Sequence, residues 1–363
     1  MATNIMTASH QWATRPDDQR FISLAELHDA VAKRRQESWT ATPRPAELRA
    51  MPGDDGGLWV SVNDRTSGRE RYVTPSHWGM GQLASLANCS AKELRKFPAE
   101  IAAINLQYGL EFMAARDNAL VLSQSNGEET LRSITSTSYG RIWDQKVVEA
   151  VMRVNSDGRW QIPAASYSQT DPRRATTLYA SDRDVFIFLV DPDHDIQVGK
   201  DLLHKGFIVW NSEVGSDVFG MTTFLYNRVC DNRIIWGATN VKELRIRHTG
   251  GAPDRFAYEG KRYLEQYSRE SNQQIIDAVA IAQETEIPVK NEKTVADWLK
   301  DRGFTKEVAN KSVEYAQAEE GSVRTVWDII QGVTAYARSV KHTDARVELE
   351  SKAGSMLSMV AGR

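Results

Sequence analysis

An α+β fold is what this chain predicts: a twisted, mostly antiparallel sheet with flanking helices and a small C-terminal helical module. Three observations carry that expectation. Between Leu178 and Phe256, runs rich in Val, Ile, Phe, Tyr, Thr and Trp alternate with Asp, Asn, Gly and Pro, the pattern of short strands and turns. Apolar residues recur at helical spacing in separate stretches before and after that block. Beyond Pro288 the composition turns helical throughout. With 363 residues and 41% hydrophobic content, the chain can bury a large core and more than one lobe.

Taken in order, Ser23 with Glu26 forms a capping box, and Leu24, Leu27, His28 and Val31 place a helix over Ser23 to Gln36. Thr42 to Gly57 holds three prolines and three glycines and reads as a linker. Leu58 to Val62 and Glu70 to Val73 flank NDRTSG as a hairpin. Ser90 with Glu93 opens a helix that Pro98 interrupts and restarts, continuing to about Ala115. Leu120 to Ser123 and Thr130 to Thr135 bracket Asn126-Gly127, a second hairpin. A helix follows over Asp144 to Val154. From Arg159 to Trp236 the pattern is mostly strand, with Phe219 to Cys230 open to a helical alternative, and from Tyr258 to Ala282 it is helical. TVADWLKDRGF, TKEVANKSVEYAQAEEG and SVRTVWDIIQGVTAYARSV read as three terminal helices divided by Gly303 and Gly321. The expected organisation is therefore an N-terminal helix and linker over 1–57, an α+β core over 58–287 and a helical module over 288–363. The polar stretch VKNEKT makes that module a separable unit by expectation.

Forty-five Lys and Arg face 48 Asp and Glu, a net charge of -3, so no global positive field draws the molecule to nucleic acid or anionic membrane. Any polyanion must meet a local patch. Cys89 and Cys230 are too few for a disulfide framework, and the chain shows neither a signal segment nor an apolar run of about 18 residues. The expectation is a cytoplasmic protein without membrane association. Phosphate-loop, dinucleotide-fingerprint, nucleophile-elbow and His-Glu-x-x-His motifs are absent, and the seven His are dispersed.

Two segments offer a local patch. Val241 to Arg262 carries six basic residues against three acidic ones, and Lys242, Arg245, Arg247 and His248 form a cationic exit from the strands. In an extended LRIRH, Arg245 and Arg247 share a face and suit successive phosphates. RSITSTSYGRIWD joins Arg132, Tyr139 and Arg141 to short hydroxyls and Gly140, which let the backbone approach a phosphate. Trp210, Tyr226 and Trp236 could stack bases, although burial in a large core explains such residues more often. Asp182 and Asp184 share one strand face and could hold Mg²⁺, or they could simply end the strand in a turn. Thr305 to Ala318 follows a helix and Gly303 in a helix-turn-helix-like layout, but its acids favour packing over groove reading.

HQWATRPDDQRFISLAELHDAV, TSTSYGRIWD, YASDRDVFIFLVDP, GFIVWNSEVGS, TTFLYNRVCDNRIIWGA and ELRIRHT, in this order, resemble the phage/plasmid-like protein family, a domain of unknown function carried by phages, plasmids and integrated elements. The resemblance covers roughly Trp12 to Tyr267. It implies a setting among mobile-element genes for DNA metabolism and antirestriction, and it supplies no catalytic residues to carry over. The resulting expectation is a single-stranded DNA-binding, strand-annealing homo-oligomer that needs no cofactor. Two alternatives stand beside it: a metal-dependent enzyme acting on phosphodiesters through Asp182 and Asp184, and a protein-binding antagonist of host defence.

Overall fold

The computed structural model of the chain describes residues 15–64, 68–114, 118–162, 176–193, 196–198, 201–227, 232–234, 244–269, 273–289, 292–321, 323–340 and 343–361. Its strands are β1 (Arg20–Phe21), β2 (Ser38–Ala41), β3 (Arg49–Pro52), β4 (Leu58–Asp64), β5 (Arg69–Pro75), β6 (Ala119–Ser125), β7 (Glu129–Ser136), β8 (Leu178–Ala180), β9 (Val185–Val190), β10 (Ile196–Val198), β11 (Asp201–Asn211), β12 (Phe219–Asn227), β13 (Asn232–Ile234) and β14 (Leu244–Ile246). They form two sheets. The larger runs β1-β8-β9-β11-β12-β13, with β10 on β11 and β14 on β12; the smaller runs β2-β6-β7-β5-β4-β3. Only β5 on β7 is parallel among the described pairings. The α+β class is as the patterning predicts, but the single expected sheet is two, because the chain leaves the small sheet at Ser136 and runs through a helix before Leu178.

The helices are α1 (Leu24–Gln36), α2 (His77–Leu86), α3 (Ala91–Leu94), α4 (Ala99–Tyr108), α5 (Asp144–Val154), α6 (Ala252–Arg255), α7 (Lys261–Arg269), α8 (Gln273–Glu284), α9 (Glu292–Lys300), α10 (Lys306–Glu320), α11 (Val326–Ser339) and α12 (Thr343–Ala361). Ser23 begins α1 as expected, its Oγ accepting the Glu26 N–H at 3.1 Å. The stretch expected as a linker is instead structured: β3 lies on the edge of the small sheet against β4, an edge being where Pro52 is tolerated. The helical alternative for Phe219 onward is also set aside. Eight consecutive residues of β12 pair with β11, and Phe219 and Met221 enter the core two apart, the period of a strand.

Three apolar clusters hold these layers together. One packs α1, α5 and α7 on the large sheet, with Leu27, Val31, Val147, Val151 and Leu264 against Ile187, Phe207, Val209 and Phe219. All six residues of β9, VFIFLV, are buried, which is why the strand reads as an unbroken apolar run rather than an alternation. A second joins α2, α3 and α4 to the small sheet through Leu83, Leu94, Leu106, Val60, Val73 and Val121. The third belongs to the C-terminal helices, with Trp298, Phe304, Trp327, Ile330 and Leu357 at its centre. It also contains Ala278, Val279, Ala282 and Ile287 before residue 288, and Ile196 and Leu203 of the large sheet. Ile287 N donates to Arg324 O and Val326 N to Thr285 O, so backbone bonds cross the same point.

Cutting after Ile287 would strip α8 of its partners and expose that apolar face. A chain ending at Arg269 removes α8 together with them. The shorter chain is therefore expected to be the more soluble of the two, with the 1–287 chain aggregating; solubility and dye-detected melting of the pair check it.

Candidate nucleic-acid interface

Four loops converge where the two sheets meet. They are the β8–β9 turn, the β7–α5 loop, the β11–β12 loop and the segment after β14. The β11–β12 loop, NSEVGSD, is the organiser. It can fold back sharply because Gly215 has a φ of +80°, a left-handed conformation that costs glycine little. The Val214 carbonyl accepts from Trp78 Nε1 at 3.0 Å and Gln82 Nε2 at 2.8 Å, which ties the loop to α2 under the small sheet.

Glu213 is fully buried, and each of its oxygens is used. Oε1 accepts the Asp144 N–H at 2.9 Å, so a residue remote in sequence caps the N-terminus of α5, which has no side-chain cap of its own. Oε2 accepts Arg132 Nη2 at 2.9 Å and lies 3.7 Å from Arg34 Nε. The Glu213 carbonyl accepts Arg141 Nε at 2.9 Å. Arg34 completes the network, binding Asp144 Oδ2 at 2.6 Å and the Ser181 carbonyl, while Asn211 Nδ2 donates to Asp144 Oδ1 at 2.6 Å. Three guanidiniums thus face two carboxylates. Burial alone would raise the Glu213 carboxyl, but Arg34 and Arg132 outweigh it and hold it below its ordinary value. Burial and the neighbouring Glu213 charge push Asp144 well up, so Asp144 is the member of the pair that protonates first.

The sequence-predicted residues divide in two around this network. Arg132 and Arg141 are only 2% and 9% exposed, and burial lowers the pKa of both. Their charge is spent on Glu213, so the expectation that the hydroxyl-rich loop displays them to a phosphate is corrected: they hold the loop in place. Tyr139 donates its hydroxyl to the Ser212 carbonyl at 2.9 Å, and burial raises its pKa. His248 stacks on Tyr139, with ring centroids 5.0 Å apart and planes at 23°. Burial, aided by Arg141, pushes His248 down to about 4 against the opposing effect of its Gly140 hydrogen bond. It is neutral at pH 7 and adds no charge to the cationic exit, a second correction. Its Nδ1–H donates to the Gly140 carbonyl at 3.0 Å, which leaves a buried Nε2 without a hydrogen-bond partner. Any side chain at Gly140 would collide with the Thr249 carbonyl, so the close approach of the two segments requires glycine there.

Arg245 and Arg247 form the outward half. Ile246 between them is buried in the large-sheet core, which turns Arg245 to the opposite side, and Arg247 follows one residue beyond the strand. Arg247 is exposed and Arg245 half-buried. Asp217 lies near Arg245; burial pushes its carboxyl up to about 6 although Arg245 pulls it down. A Tyr139–Thr249 bridge sets the exposed Ser136, Thr137 and Ser138 beside this strand end. Arg183, also exposed, lies 4.7 Å over the Trp78 ring. Lys242 and Trp236 lie outside the described residues, as does the side chain of Tyr226, and Trp210 is buried.

Asp182 and Asp184 do not converge. Asp182 is exposed, while Asp184 Oδ1 is bound by Arg15 Nη2 at 2.7 Å and by the Ser181 hydroxyl at 2.7 Å. Among the described residues no group of three His, Cys, Asp or Glu side chains gathers to hold a metal ion. Arg34, Asp144, Asn211 and Glu213 escaped the sequence reading as site residues. Glu213, an acid between two apolar strands in WNSEVGSD, was the one available signal.

A family model described as Domain of unknown function (DUF932) matches residues 132–355, a span that holds the whole network except Arg34. No curated protein and no solved structure matches the chain.

Two outcomes follow from this geometry. Glu213→Gln leaves the buried Arg132 without its carboxylate and Arg34 with Asp144 alone, and is expected to cost about 3–5 kcal/mol, read by chemical denaturation. His248 has a folded pKa near 4 against 6.5 unfolded, so its contribution is complete above pH 6.5 and is lost as pH falls toward 4, on the order of 3 kcal/mol at most. Asp217, raised from 3.8 to about 6, acts in the opposite sense and loses its contribution as pH rises through that range. The difference between wild type and His248→Gln isolates the histidine. Melting curves from pH 7 to pH 4 should show a shallower acid-side decline in the variant.

Proposed function

The chain belongs to the DUF932 family, a domain of unknown function, and we propose that it binds single-stranded DNA along the rim of the loop cluster. One observation supports this reading: Arg245 and the exposed Arg247 flank the buried Ile246 at a strand end, next to an exposed row of hydroxyls held there by the Tyr139–Thr249 bridge. Cations about two residues apart on an extended strand match the reach needed for neighbouring phosphates, and Ser and Thr hydroxyls add hydrogen bonds to phosphate oxygens. The Arg183–Trp78 pair supplies a flat cationic and aromatic surface on which a base can stack. Because the net charge is -3, attraction is confined to this rim.

The buried network beneath is part of the reading. With Arg132 and Arg141 consumed internally, the rim is positioned by a rigid floor, and binding needs little reordering of the loops. Phage or plasmid DNA metabolism in the cytoplasm, with copies assembled to anneal strands, is the setting that the phage/plasmid-like resemblance favours. Among the described residues no helix is long and apolar enough to cross a membrane.

Fluorescence anisotropy with a labelled oligonucleotide, over a salt series and with or without Mg²⁺, tests the proposal. Arg245→Ala with Arg247→Ala should weaken binding and reduce the salt slope by roughly two at most. Unchanged affinity and slope in the folded double variant would remove the rim from consideration, and Mg²⁺-dependent cleavage of the oligonucleotide would replace binding with hydrolysis.

A further inference from the structure

The helix α4 carries apolar residues on its outer as well as its inner side, interrupted outside by Glu100 and Asn105. Its inner face, with Ala102, Ala103 and Leu106, packs on the small sheet and α2, as expected of a core helix. Its outer face is not covered. Phe97, Ile101, Ile104, Tyr108 and Phe112 follow one another at spacings of three and four, and they are 45%, 45%, 66%, 60% and 70% exposed, with Met113 beside them at 49%. That spacing lines them up in one stripe along α4 and the π-helical turn Gly109–Met113 that extends it. Tyr108 and Phe112 already touch each other, with centroids 5.1 Å apart. With roughly 150–250 Å² for each aromatic residue and somewhat less for Ile and Met, the uncovered fractions come to about 600 Å², at the upper limit for a free monomer surface.

We infer that this stripe is an isologous dimer face, occupied by the same stripe of a second copy of the chain running antiparallel. The inference names the surface by which copies meet and does not depend on DNA binding. Three features favour a second copy. The area is the first: doubled by a two-fold axis it reaches about 1,200 Å², where stable specific interfaces begin. Charge is the second. At the N-terminal end of the stripe Arg95 is exposed, while Lys96 is already paired with Glu93 at 3.0 Å and Glu100 is exposed close by; the C-terminal end carries Glu111, also exposed. A two-fold axis through Ile104 and Asn105 sets Phe112 opposite the partner's Phe97 and Glu111 within about one turn of the partner's Arg95, whereas a parallel pair would set Glu111 against Glu111.

Shape is the third feature. A cavity of about 300 Å³ opens beside Phe97, walled by Leu58, Met80, Leu94 and Ala102. It lies at the opposite end of the stripe from Phe112, the most exposed large apolar side chain in it. The two-fold axis brings the partner's Phe112 ring to that opening, and the same contact repeats at the other end. A protruding aromatic at one end and an apolar hollow at the other are self-complementary only in the antiparallel arrangement.

Sedimentation equilibrium of the full chain without DNA, over a wide concentration range, provides the test. Wild type should fit a monomer–dimer equilibrium. Ile104→Glu with Tyr108→Glu, both at exposed positions, should raise the dimer Kd by about 100-fold while circular dichroism stays that of wild type. Glu111→Lys should weaken the dimer, and adding Arg95→Glu should restore it. In a Cys89→Ser, Cys230→Ser background, Ile104→Cys should cross-link to its own copy through a short bismaleimide. A monomer at every concentration, a dimer indifferent to the two glutamates, or binding of the stripe to phosphatidylglycerol vesicles in place of dimerisation would each overturn the inference. None of these readouts involves nucleic acid, so failure of the dimer face and failure of the DNA rim are separately visible.

Discussion

The Glu213 carboxylate is the interaction on which the other parts depend. It sits fully buried and meets the start of α5, the middle of β7 and the end of α1 at once, through Asp144, Arg132 and Arg34. A buried ion network of this kind adds little net stability over an apolar core of the same shape, because desolvation offsets most of the attraction. Its effect is geometric. The donors find their acceptors on several different elements, so the two sheets can dock in few ways that leave no charge stranded. The loop carrying Glu213 is fixed from the other side by Trp78 and Gln82, which transmits the arrangement to the small sheet.

From that floor the rim inherits its shape. Tyr139 is held by the Ser212 carbonyl, His248 rests on Tyr139, and the close approach at Gly140 joins the β7–α5 loop to the segment after β14. The chain therefore separates charge used for assembly from charge shown to solvent. Arg132 and Arg141 belong to the first class, Arg183 and Arg247 to the second. A neutral His248 suits this division, since a second buried cation beside Arg141 would be costly.

Most secondary structure was legible because it rests on local chemistry. Ser23 fixes the start of α1 by accepting an N–H three residues on; Asn126-Gly127 makes the β6–β7 turn, with Gly127 at a φ of +101°; Asp144 to Val154 is helical over its whole predicted span. Elements that depend on remote partners were not legible. β3 lies in the Pro- and Gly-rich stretch over 42–57 and β2 just before it, and they are strands only because β4 and β6 offer them edges. The helix Thr343–Ala361 closes the C-terminal cluster beyond the three helices that periodicity marks, with Ala353, Met356, Leu357 and Val360 as its buried face. That cluster reaches back to Ala278 and across to Ile196, which no local pattern could show.

By itself the sequence determined the α+β class and the order of most helices and strands, because these follow from side-chain periodicity and turn chemistry within a few residues. Tertiary structure alone decided which charges face inward. Arg132 and Arg247 look alike in the sequence, each beside hydroxyls or histidine in an extended segment. One is neutralised by an acid 81 positions away and the other is exposed. Solvation and pairing of a charge depend on everything within several ångströms, and residues that close in space are set by how the sheets dock rather than by their place in the chain.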